Sequence, residues 1–150
     1  MKNIFNSTDA AQLVERINQL KSNSPALWGK MNAGKMLAHC NVFFEMEYDG
    51  THEKPNFFMK FILKMFVKDS VISDKPYPKN GGTAPAMVIK EEKNFEVEKI
   101  RLTNYIIKTQ ELGEAHFNNR ESLNFGVLNK TEWNTLFVKH IDHHLRQFGV

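Results

Sequence analysis

Residues 129–149 read NKTEWNTLFVKHIDHHLRQFG, and this stretch predicts one long helix. Asn129 is a good N-cap residue, and Glu132 follows it three positions later, as in a capping box. The apolar residues of the stretch recur at helical spacing: Trp133, Leu136, Phe137 and Ile141. Gly149 provides a stop signal of the usual kind. We therefore expect a helix over 130–147.

Three further segments have helical periodicity, over 8–21, 32–48 and 91–112, and a shorter helix is predicted over 57–68. No segment shows the sustained alternation of a strand. Several prolines and glycines indicate an irregular connection ahead of the third long helix. The expected fold is therefore all-α, a four-helix bundle whose one long crossover carries the short extra helix.

The composition fits a single globular domain over residues 1–150, since 41% of the residues are hydrophobic and 25% are charged. One cysteine excludes a disulfide framework and a Cys-rich zinc finger. With 20 basic and 17 acidic residues, the charge gives no reason to expect nucleic acid. Residues 1–9 lack the apolar run of a secretory signal, so a cytoplasmic protein is expected.

The segment 57–68 carries lysines at every fourth position, Lys60, Lys64 and Lys68, so that they form one polar stripe among apolar residues. Such a segment could lie on a membrane surface. Packing of its apolar side across the mouth of the bundle is the favoured interpretation, and no membrane partner is expected.

Histidines are the residues that point to chemistry. Winding the last helix at about 100° per residue places His144 in the middle of the apolar arc and His140 roughly 40° away. His143 falls at the boundary with the polar side. In the second helix His39 lies at the edge of the apolar arc. Three inward imidazoles from two helices predict a metal site with positions left open for water or substrate.

Imidazole ligands suit zinc, nickel or iron, so the sequence does not select the metal. The alternative is structural, since an inward histidine is commonly a core residue that donates a hydrogen bond to a backbone carbonyl. His143 and Gln147 are candidates for hydrogen bonds to a metal-bound group.

Two carboxylates fall among apolar residues, Glu98 in the third long helix and Glu47 in the second. Glu98 is a candidate for orienting a ligating histidine. An ion pair with a lysine or arginine of a neighbouring helix is the favoured interpretation for both, because a lone buried carboxylate is costly. Cys40 is interpreted as a small buried thiol rather than a nucleophile, since adjacent helical positions point about 100° apart and it would not meet His39.

Three strings carry a resemblance to a known family: Trp28-Gly29-Lys30-Met31, Met36-Leu37-Ala38-His39-Cys40, and Lys139-His140-Ile141-Asp142-His143-His144-Leu145-Arg146-Gln147-Phe148-Gly149. They resemble a branch of unknown function in the DinB/YfiT-like superfamily of bacterial four-helix bundles. Many members of that superfamily hold a divalent metal with one histidine of the second helix and an HxxxH pair of the fourth.

The resemblance implies His39, His140 and His144 as ligands, the same three that the helical winding selects. It also implies a His-Pro pair where this chain has Ser122-Leu123. The implied activity is a metal-dependent thiol S-transferase or hydrolase acting on a small molecule.

The alternative function is a non-catalytic bundle that binds a small apolar ligand and retains a vestigial histidine site. The expected partners are a small-molecule substrate, with a low-molecular-weight thiol as one candidate, and a homodimer is the candidate assembly.

Overall fold

A computed structural model describes all residues, 1–150, and shows a mainly helical protein with 59% of its residues in helices. Its elements in chain order are α1 (Ser7–Gln19), α2 (Ala33–Tyr48), α3 (Phe57–Ile62), α4 (Lys68–Ile72), α5 (Phe95–Phe117), β1 (Arg120–Ser122), β2 (Gly126–Leu128) and α6 (Lys130–Gln147). A π-helical turn, Leu63–Val67, joins α3 to α4, and a short 3-10 turn, Pro85–Met87, precedes α5.

Side-chain caps explain where the helices begin. The predicted capping box of α6 is present, since Asn129 accepts the amide of Glu132 while the Glu132 carboxylate accepts the amide of Asn129. Helix α5 begins at Phe95 rather than at 91, because Asn94 caps it by accepting the amide of Val97.

The predicted end of α5 near Gly113 marks a break inside the helix rather than its end. Gly113 has φ 71° and ψ 173°, a conformation that is accessible essentially only to glycine. The chain resumes a helical path beyond it and ends at Phe117, which is fully buried. Burial of this ring draws the chain back to the core after the break.

The all-α expectation is wrong in one place, because β1 and β2 pair as an antiparallel hairpin. Ser122 is buried and its hydroxyl oxygen accepts the amide of Phe125, which closes the turn. Gly126 enters β2 with φ 75°. Three-residue strands are too short to show the alternation by which a strand is recognised in a sequence.

An aromatic core holds the long helices together. The rings of Phe44 on α2 and Phe137 on α6 stack with centroids 4.7 Å apart, and Trp133 stacks on Phe137 at 5.4 Å. Phe117 from the end of α5 packs edge-on against both α6 rings. Helix α2 contacts α5 and α6, and α1 contacts the same two helices.

The helical segment 57–72 is longer than predicted, and its apolar residues do not all pack inward. Leu63 and Val67 are half-buried against the core, and Val71 is buried. The buried Lys139 holds the end of α4 by donating to the carbonyls of Ser70 and Ser73. Six large apolar side chains of the segment are exposed to solvent. The expectation that this face packs across the mouth of the helices is therefore wrong for most of it.

No helix in the structure combines the length and the apolar character needed to cross a bilayer.

Phe137→Ala should lower the free energy of unfolding by about 3–5 kcal/mol, because it leaves a cavity among three aromatic rings. Phe58→Ala is the matched control, since that ring is 69% exposed; it should change stability by less than about 0.5 kcal/mol. Urea unfolding followed by circular dichroism measures both. Equal losses in the two variants would contradict the core described here.

Candidate metal centre

Three histidines meet where α2 packs against α6. His39 of α2 and His140 and His144 of α6 are all buried. Their ring centroids form a nearly equilateral triangle with sides of 4.8, 4.7 and 4.8 Å. One ring nitrogen of each lies within 4.8 Å of the others. The inward placement predicted by helical winding is confirmed for all three.

The closest contact joins His39 and His140, whose Nε2 atoms are 3.0 Å apart. Nδ1 of His39 is 2.8 Å from the carbonyl oxygen of Met87. Because a carbonyl only accepts, this Nδ1 carries the proton and Nε2 of His39 presents a lone pair. Two lone pairs cannot face each other at that distance, so without an ion Nε2 of His140 must carry the proton between them.

The third imidazole is oriented by a chain of polar groups that leads to the surface loop before α2. Nδ1 of His144 donates to Oε1 of Gln147 at 2.8 Å, and Nε2 of Gln147 donates to the carbonyl of Trp28 at 2.6 Å. The Trp28 carbonyl thus fixes which way the amide of Gln147 faces. Nε2 of His144 is left with a lone pair and no hydrogen-bond partner in the protein.

Burial keeps these imidazoles neutral. It lowers the pKa of His144 to about 3, with the neighbouring His39 adding to the effect. Burial, together with His144 and His39, holds the pKa of His140 well below its usual range. The pKa of His39 is lowered by burial, although its bond to Met87 acts in the opposite direction. Neutral imidazole is the form that binds a metal ion.

The other predicted residues lie at different distances from the cluster. Gln147 contacts His144 directly, as described above. His143 is half-buried beside it, with its ring 5.7 Å from that of Trp28 and 5.5 Å from that of Tyr77, and burial lowers its pKa. Glu98 is not brought to the histidines, because its carboxylate accepts from Asn41 at 2.8 Å and from Arg101 at 2.9 Å.

The predicted ion pairs with a neighbouring helix did not form. The partner of Glu98, Arg101, lies on the same helix. Glu47 has no ion pair within 4 Å and accepts the amide of Leu123 at 3.3 Å. Burial raises the pKa of Glu47 to about 7, although Leu123 and the charge of Arg120 act against it. Arg101 also pairs with Glu45 of the neighbouring helix α2, at a distance of 2.6 Å.

Cys40 is buried in the core, as predicted, and burial raises the pKa of its thiol. The pair Ser122-Leu123, found in place of the implied His-Pro, belongs to the hairpin turn, where Ser122 bonds the amide of Phe125. This position therefore serves the turn in this chain.

Sequence reasoning missed the groups that orient the histidines. The carbonyls of Met87 and Trp28 are backbone atoms, which no side-chain pattern reveals. Gly29 was also missed: it has φ +81°, and a Cβ atom there would lie 2.5 Å from Nε2 of Gln147. The only sequence feature that pointed to them was the string Trp28-Gly29-Lys30-Met31, one of the three strings on which the resemblance to a known family was based.

The family model for "Protein of unknown function (DUF1569)" matches residues 2–149, and the chain belongs to that family. This finding overturns the assignment to the DinB/YfiT-like superfamily, so the ligand set implied by that resemblance now rests on the geometry alone. Among the curated proteins and the solved structures, nothing matches the chain.

Gly29→Ala should displace the Gln147 amide and strain the backbone, lowering stability by about 1–3 kcal/mol. It should also release His144 from its Nδ1–H tautomer, which nitrogen-15 NMR of the imidazole detects. Gly82→Ala is the control, because nothing lies within 4 Å of a Cβ there and its φ is not positive. An unchanged His144 tautomer in Gly29→Ala would show that Gln147 does not orient the ring.

The metal-free protein should lose stability as the pH falls below about 6.5, the pKa of histidine in an unfolded chain. The folded pKa values of His39, His140 and His144 are lowered, so below pH 6.5 the unfolded chain binds more protons than the folded one. Each histidine should contribute a loss of about 1.4 kcal/mol per pH unit until its folded pKa is reached.

Glu47 acts in the opposite sense, because its raised pKa favours the folded state as the pH falls from about 7 towards 4.5. Urea unfolding at pH 7.5, 6.5 and 5.5 should therefore use a Glu47→Gln background. Adding His144→Gln should reduce the slope of the free energy of unfolding against pH by the amount that corresponds to about one bound proton. A free energy of unfolding that is flat over this range would contradict neutral burial of the three rings.

Proposed function

We propose that this protein binds one divalent transition-metal ion, zinc, nickel or iron, through His39, His140 and His144. The observation that supports it is the pattern of hydrogen bonds to the ring nitrogens. Hydrogen bonds to Met87 and Gln147 occupy Nδ1 of two imidazoles, so that Nε2 of each carries a lone pair, and one ring nitrogen of each of the three histidines lies within 4.8 Å of the others. A histidine that ligates a metal usually donates its other ring N–H in this way.

Two of the three donor atoms are already spaced for such an ion, and the donor atoms of all three rings lie within 4.8 Å of one another. Tetrahedral zinc with bonds of about 2.0–2.1 Å sets its nitrogen ligands roughly 3.3 Å apart, close to the 3.0 Å between Nε2 of His39 and Nε2 of His140. The ion would take the place of the proton now shared by those two atoms. Three neutral ligands leave a position for water or substrate, as in catalytic zinc sites.

We propose that the site serves a metal-dependent hydrolase or thiol S-transferase acting on a small molecule. A bound ion supplies a Lewis acid that activates water or a low-molecular-weight thiol at neutral pH. The chain's own residues hold the three rings in fixed tautomers and exclude bulk water from them. In this proposal His143, whose ring packs against Trp28 and Tyr77, hydrogen-bonds a group that reaches the site.

We further propose that α1, α2, α5 and α6 form a four-helix bundle, with the segment 57–72 in its crossover. The support is the pairwise packing, in which α5 and α6 touch each other and both contact α1 and α2. A homodimer and a cytoplasmic location remain predictions.

His140→Ala and His144→Ala should each abolish stoichiometric metal binding, because each removes one of three ligands. His143→Ala is the matched control on the same helix turn and should retain the ion. Elemental analysis of untagged protein and zinc titration measure this directly. In the unmodified protein, zinc at 100 times its Kd should add about 2.7 kcal/mol to the free energy of unfolding.

Protein that contains no metal and shows no change in melting temperature with zinc, nickel or iron would contradict the proposal. The remaining function would then be the non-catalytic one, a bundle that binds a small apolar ligand and retains a vestigial histidine cluster. Loss of metal in His143→Ala but not in His144→Ala would show that the ligands are wrongly assigned. If metal binds, hydrolysis of an ester panel and conjugation of an electrophile to a thiol separate the two proposed reactions.

A further inference from the structure

An unusual surface lies on the helical segment before residue 68. Six large apolar side chains there are exposed, by 46–90% of their area, and we call them the apolar patch: Phe57, Phe58, Met59, Phe61, Met65 and Phe66. Four of the six are phenylalanines. Large exposed apolar patches are rare on monomeric soluble proteins and mark binding sites for proteins, membranes or ligands.

The patch is held firmly by the rest of the fold. Leu63 and Val67 on the opposite side of the segment pack against the core, and Val71 is buried. Asn56 caps the first turn by accepting the amide of Met59, and Lys139 holds the last turn. The inward side of this segment is therefore already used, and the patch can be covered only by something outside the chain.

Within residues 54–68, the segment that carries the patch, the charged side chains are all basic. From Lys54 to Lys68 the chain carries four lysines and no aspartate or glutamate. Lys60 and Lys68 each reach a carboxylate, Glu121 and Glu132 respectively. Lys64 is exposed on the same helical face as Phe57 and Phe61 and makes no ion pair.

We propose that the apolar patch docks on a lipid bilayer with anionic headgroups. The segment would lie in the plane of the interface, with its phenylalanines among the acyl chains and its lysines reaching up to the headgroups. This explains both the exposed aromatic rings and the absence of acidic residues within the segment 54–68. The lysine stripe already made a membrane surface one interpretation of this segment, and packing of its apolar side inside the protein was favoured over it.

Charge favours a membrane over a second copy of the chain. A two-fold contact through the patch would bring the same surface of both copies together, including Lys64 and its symmetry mate. Such like charges oppose association in a desolvated contact. An anionic bilayer meets the same lysines with opposite charge.

The test is flotation of the protein, residues 1–150, with vesicles of pure phosphatidylcholine and of phosphatidylcholine with phosphatidylglycerol. We expect binding to the anionic vesicles, weaker binding to the neutral ones, and loss of binding as salt is raised to about 1 M. The double variant Phe57→Ser, Phe58→Ser should reduce binding by about tenfold or more. Its control, Val97→Ser with Ile100→Ser, removes two apolar residues of α5 that are 51% and 59% exposed, and it should bind normally.

Lys64→Glu tests the charge term and should weaken binding to anionic vesicles, whereas Lys21→Glu, at an exposed position after α1, should not. All variants change exposed side chains, so circular dichroism should show them folded. Absence of binding to either vesicle overturns the proposal, as does binding that is independent of phosphatidylglycerol. A dimer in solution that the two serines dissociate, with no vesicle binding, would identify a second copy as the occupant and also overturn it.

Discussion

Three imidazole rings share a water-poor space between α2 and α6, and much of the surrounding structure follows from the need to keep them neutral and partnered. A buried imidazolium among two other imidazoles would be strongly disfavoured, so each ring must remain uncharged. An uncharged imidazole carries one N–H and one lone pair, and a buried N–H must face an acceptor. The cluster therefore needs acceptors in fixed positions around it.

Those groups come from segments that are otherwise irregular. The short turn Pro85–Met87 brings a backbone carbonyl to His39, and the loop before α2 brings the carbonyl of Trp28 to Gln147. Gly29 follows in that loop, where a side chain would collide with the Gln147 amide. Two connecting segments are thus fixed by hydrogen bonds, one directly to His39 and one through Gln147 to His144, and Nε2 of both histidines carries a lone pair.

One residue, Lys139, connects the apolar patch with the histidine cluster. Lys139 precedes His140 on α6, and its ammonium group holds the end of α4, the helix that continues from the apolar patch. The same ammonium lies 4.4 Å from the centre of the Tyr77 ring, which in turn packs against His143. The patch and the histidine cluster are therefore built on a common framework, although each rests on different chemistry.

Sequence periodicity alone was enough for the four long helices and for the inward direction of His39, His140 and His144, because both follow from the fixed angle between successive residues of a helix. Gln147 was predicted to hydrogen-bond a metal-bound group, whereas the structure shows its contact with Nδ1 of His144 on the same helix. Sequence patterns failed to predict the hairpin closed by Ser122, because its three-residue strands are too short to show a period. They also placed the start of α5 too early, because the cap at Asn94 was not recognised.

Contacts between distant parts of the chain were decided by the tertiary structure alone. Helical winding shows which side of α2 His39 occupies, but only the packing of Phe44 on Phe137 brings it within 3.0 Å of His140. The carbonyls of Met87 and Trp28 are backbone groups common to every residue, so no sequence pattern could mark them. The exposure of the apolar patch was likewise undetermined, because whether a phenylalanine is covered depends on what the fold places above it.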